Sequence, residues 1–88
     1  MKHRRLIEWW ADQMELVLQA NDHKAGWEQM RPWEIHERLT EELEELTKVL
    51  AGADDGDAVQ EAVDISNFCA FLGWNLAHKP KKRIETAR

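Results

Sequence analysis

The chain has 88 residues, a formal net charge of −5, a single cysteine and no tyrosine. That is the length of one domain with a modest core, a fold that gains from a metal or a partner subunit. Lone Cys69 excludes an internal disulfide frame. The acidic balance argues against a nucleic-acid binder, no apolar run approaches the ~18 residues of a membrane span, and the N-terminus lacks the apolar core of a signal peptide. The expectation is a cytoplasmic, single-domain protein with no nucleic-acid and no membrane partner.

Leu, Glu, Ala and Lys dominate while β-branched residues are few, which favours an all-α fold. A first helix is predicted from about Arg4 to Ala20, with Ile7, Trp10, Met14, Val17 and Leu18 at helical spacing. The run Asn21-Asp22-His23-Lys24-Ala25-Gly26-Trp27 is too polar and too rich in breakers to continue it.

A second helix starts near Pro32, whose missing N–H is no loss at the first helical position, and Glu34 and Glu37 suit the positive end of its dipole. Its predicted apolar stripe is Ile35, Leu39, Leu43, Leu46 and Leu50, and Gly52 is its stop signal. Asp57 with Gln60 three residues on reads as a capping box opening a third helix, which runs to about His78 and must end near Pro80. From Ala62 to Leu76 that helix is apolar almost all round, Cys69 included as a core residue. A second subunit is the expected cover. The architecture implied is a helical hairpin plus an N-terminal helix, dimerising into a four-helix-bundle-like assembly. Its core lies at about 4–78 and a basic tail at 79–88.

Acids crowd the second helix. Glu34 with Arg38 and Glu44 with Lys48 are spaced as i,i+4 surface pairs. At roughly 100° per residue, Glu42 instead falls at the edge of the apolar stripe and Glu45 beside it. On the third helix Asp64 falls between the phenylalanines at 68 and 71. Glu61 lies one turn before Asp64 and Asn67 one turn after, with Asn75 further along the seam. No Lys or Arg lies between Lys48 and Lys79, so an internal salt bridge in the hairpin is not expected. About a turn centred on Ala53, Glu45 faces Glu61 and Glu42 faces Asp64. Four oxygen donors in a partly apolar setting fit Mg²⁺ or Mn²⁺ better than zinc.

Glu41-Glu42-Leu43-Glu44-Glu45-Leu46 followed by Glu61-Ala62-Val63-Asp64 resembles the EExxE…ExxD signature of the MazG-like all-α NTP pyrophosphatases. The context from Leu39 to Leu46 adds to the likeness. The stretch from Asn21 to Trp27 is similar to short MazG-like proteins of phages and prophages. The resemblance implies hydrolysis of a nucleoside triphosphate between its α and β phosphates. It implies Mg²⁺ on Glu42, Glu45, Glu61 and Asp64, and a homodimer or homotetramer. Glu41 and Glu42 are the implied catalytic acids, Glu41 orienting a ligand or water. Longer members contact substrate through a further helix with Asn, Lys and Arg. Here Lys24, Lys79 or a neighbouring subunit are the expected sources of phosphate-binding charge, with Trp27 for stacking a base and Asn67 for a polar contact. Of the other tryptophans, Trp10 and Trp74 read mainly as core. The competing class is a non-catalytic helical module that binds nucleotide or assembles without turnover.

Overall fold

In the computed structural model, residues 2–21 and 26–78 are described. They form three α-helices, α1 (Arg5–Ala20), α2 (Pro32–Leu50) and α3 (Ala58–His78), with a short 3₁₀ turn at Trp27–Gln29 and no strand among them. The fold class is all-α. None of these helices is long and apolar enough to cross a membrane.

Local chemistry sets the ends. Pro32 opens α2, and the Glu34 carboxylate accepts a hydrogen bond from the Arg31 N–H at 2.7 Å. That half of a capping box uses up Glu34, so the expected Glu34–Arg38 pair is absent. At the other end Gly52 takes a φ of +78°. Its N–H bonds to the Val49 carbonyl and that of Ala53 to the Lys48 carbonyl, a Schellman closure open to a residue without a Cβ. Gly56 finishes the turn: a Cβ there would stand 2.6 Å from Val49 Cγ2, so the small residue lets the chain close back against α2. Asp57 Oδ1 then accepts from the N–H groups of Val59 and Gln60, capping α3. Gln60 does not complete the box; its amide donates to Asp64 at 3.2 Å.

α3 packs against α2 on one side and α1 on the other, and the 3₁₀ turn also rests on it. Ile35 and Val63 are the fully buried apolar side chains of the hairpin. The α2 seam runs through Ile35, Leu39, Glu42, Leu46 and Val49, while Leu43 and Leu50 face outward. This corrects the predicted stripe. A helix that meets a single neighbour buries a narrow seam at 3-to-4-residue spacing, and Leu43 and Leu50 lie about 100° off it. α3 is likewise not enclosed: Cys69, Ala70, Gly73, Trp74 and Leu76 are exposed. Cys69 is a free surface thiol and Trp74 lies flat on His78 at 3.7 Å, so neither is core. Two neighbours cover two sides of α3, and these residues fall on the third.

Candidate metal centre

The hairpin brings Glu42 from α2 together with Glu61 and Asp64 from α3, with one oxygen of each within 4.8 Å of the others. All three are half-buried. Asp64 is fixed by the Gln60 amide, and Glu42 lies 4.0 Å from the Arg38 guanidinium. Glu45 stands outside this group, half-exposed with its carboxylate 3.7 Å from Lys48 Nζ. The expected Glu44–Lys48 pair is thereby replaced by Glu45–Lys48. Glu41 points away as well, 3.4 Å from Arg38 Nε and largely exposed.

The three gathered acids hold their protons more tightly than ordinary carboxyls. Burial pushes Glu42 up, then the charges of Asp64, Glu61 and Glu45, with Arg38 pulling the other way. Burial also leads for Glu61, followed by repulsion from Asp64, Glu45, Asp54 and Asp57. Asp64 is raised by burial against the opposing Gln60 hydrogen bond. Repulsion is mutual, so a retained proton belongs to the group and not to one residue.

A cleft of about 670 Å³ opens beside the cluster, with Glu42, Asp64 and Asn67 in its wall. Trp27 and Phe71 line it, stacked at 4.6 Å and 10° between planes, and Phe68 meets Phe71 edge-on at 5.5 Å. Asn67 is 4 % exposed. Its amide donates to the Met14 carbonyl at 3.4 Å, and its side-chain oxygen has no partner among the described residues. Asn75 repeats the pattern, donating to the Trp27 carbonyl at 3.4 Å and so tying the 3₁₀ turn to α3. Of the expected substrate contacts, then, Trp27 and Asn67 share the cleft, while Lys24 and Lys79 lie outside the described residues.

Arg38 was missed by the sequence reading, which paired it with Glu34 on a solvated face. It reaches along its own helix to within 4.0 Å of Glu42 while half exposed, and among the described residues no ion pair joins the two helices. The signal was present in its i,i+4 spacing to Glu42. Trp10 is the other gain: half-buried, it donates from Nε1 to Ser66 Oγ at 2.8 Å and pins α1 to α3.

No family model, curated protein or solved structure matches the chain.

The donor set fits a hard divalent cation. Three carboxylates converge from two helices, each pushed toward protonation, and among the described residues one guanidinium, at 4.0 Å from Glu42, offsets them. Oxygen-only ligation of this kind suits Mg²⁺ or Mn²⁺.

Proposed function

We propose that the protein is a Mg²⁺-dependent nucleoside triphosphate pyrophosphohydrolase of the MazG-like type, converting a (d)NTP and water to a (d)NMP and pyrophosphate. The observation that carries this is the convergence of Glu42, Glu61 and Asp64, of which Glu42 and Asp64 line an aromatic cleft large enough for a nucleotide. Glu42, Glu61 and Asp64 would hold the cation, with Glu45 one turn from Glu42 as the further ligand of the signature. Such an ion, when bound, supplies charge neutralisation for phosphate oxygens and activates the attacking water.

The chain's own residues divide the remaining work. Trp27, Phe68 and Phe71 offer apolar ring surface for a nucleobase, which stacks without needing a particular base. Asn67 lines the same space, its amide held by the Met14 carbonyl. Gln60 holds the Asp64 carboxylate in one orientation, as partners of metal-binding carboxylates do. Glu41, exposed beside Arg38, acts at most through that neighbour in this arrangement.

Assembly as a homodimer or homotetramer belongs to the same reading. Leu6, Trp9, Trp74 and Leu76 are each at least half exposed, and a chain whose fully buried apolar core is Ile35 and Val63 gains from covering them. Release of pyrophosphate from a panel of dNTPs with Mg²⁺ is the test, comparing wild type with Glu42→Gln and Asp64→Asn. Turnover by the wild type and its loss in both variants is expected. Binding of nucleotide with no release from any triphosphate, even at high protein concentration, would leave the non-catalytic module instead.

A further inference from the structure

Arg38 sits one turn ahead of Glu42 on α2, and its guanidinium is shared three ways. Nε lies 3.4 Å from Glu41, Nη2 4.0 Å from Glu42, and Cζ 5.2 Å from the centre of the Phe68 ring. None of these contacts is short or bidentate, and the side chain is 50 % exposed, so Arg38 is held near the carboxylates without being locked to them. Among the described residues it is also the one cationic side chain that lines the cleft. A divalent cation and a guanidinium compete for the same Glu42 oxygens, because like charges a few ångströms apart repel. An anion in the cleft meets the opposite field.

We propose that Arg38 is an exchangeable counter-charge that couples cation binding to polyphosphate binding in the cleft. With the cleft empty it partly neutralises Glu42; with a cation at the carboxylates it turns to phosphate oxygens. This rests on the reading of Glu42, Glu61 and Asp64 as a cation centre. On the same wall Asn67 is 4 % exposed, and its buried side-chain oxygen has no partner among the described residues.

The consequence is a pair of effects of opposite sign. Arg38→Gln tightens Mn²⁺ binding to the nucleotide-free protein by about three- to tenfold, the size expected of a partly exposed charge pair. The same change weakens an α,β-methylene deoxynucleoside triphosphate, presented at saturating Mg²⁺, by about tenfold or more. Arg38→Lys keeps the charge and loses the planar fork, so Mn²⁺ affinity stays within about twofold of wild type while the triphosphate falls between the other two. A merely structural role would move both ligands in the same direction.

The experiment titrates Mn²⁺ by the free-ion EPR signal and the analogue by calorimetry, for wild type, Arg38→Gln and Arg38→Lys, with circular-dichroism melts to verify folding. Opposite shifts support the assignment. Shifts in one direction, an unchanged Mn²⁺ affinity in Arg38→Gln, or no Mn²⁺ binding by any of the three overturns it. Opposite shifts without hydrolysis by wild type would sink the enzyme reading and leave the role of Arg38 standing.

Discussion

Ile35 and Val63 close the seam between α2 and α3 to 0 % and 1 % exposure, whereas α1 contributes no fully buried side chain. What ties α1 down is a half-buried stripe of Trp10, Met14, Val17 and Leu18, with two hydrogen bonds, Trp10 to Ser66 and Asn67 to the Met14 carbonyl. The two regions also divide the site. The carboxylates belong wholly to the hairpin, while the cleft beside them is completed by Val17 and Leu18 of α1 and by Trp27. Cation binding should therefore depend on the rigid part of the molecule, and nucleotide binding on the part that opens most readily.

The largest expected effect separates chemistry from stability within the hairpin. Asp64→Asn should lower pyrophosphate release by about 10³-fold, the scale of losing a metal-held charge. In chelator the same variant should melt no lower than wild type, because an amide removes a charge that its surroundings penalise. A lower melting point would mean that Asp64 is a structural acid.

Ile35→Ala should do the reverse, costing about 2–5 kcal/mol through lost burial and an unfilled cavity. That is most of the stability of a chain this size, so loss of helical circular dichroism near room temperature is expected. A shallow shift would show that the hairpin is no better packed than α1.

pH and metal probe the cluster alone. Glu42, Glu61 and Asp64 all have raised folded values, so the folded chain binds more protons than the unfolded one between the ordinary carboxylate range and those raised values. Their contribution is therefore full in acid and is lost as the pH rises through the folded values. In chelator the melting temperature should be higher at about pH 5 than at about pH 7. Mg²⁺ should remove the difference by stabilising the neutral-pH form, by about 2.7 kcal/mol at a hundredfold excess over its dissociation constant. A metal-free protein most stable at neutral pH, or indifferent to millimolar Mg²⁺, would break the reading of these acids as one site.

Trp10→Phe removes the hydrogen bond to Ser66 and should cost about 1 kcal/mol. Hydrogen exchange should show that loss in α1, with the α2–α3 amides unchanged; protection falling equally in all three helices would mean one cooperative unit. Least of all, Leu16→Ala should stay within about 0.5 kcal/mol, since the side chain is 60 % exposed on α1. A larger loss at higher protein concentration would place Leu16 in a subunit contact.

Sequence pattern by itself determined what depends on neighbours along the chain. The helix class, the start at Pro32, the stop at Gly52 and the cap at Asp57 follow from backbone chemistry within a turn or two, and all are present in the structure. The approach of Glu42, Glu61 and Asp64 was legible for the same reason, because a short turn fixes which residues of a hairpin stand opposite each other. Tertiary packing alone decided the remainder. Arg38 could have reached Glu34 or Glu42, and only the use of Glu34 at the helix start, with Phe68 opposite, sends it to the cluster. Glu45 could have joined the acids or paired with Lys48, and Cys69 and Trp74 could have been core or surface. Periodicity gives the angle of a side chain about its own helix; which angles are covered depends on how many neighbours that helix has and where they cross.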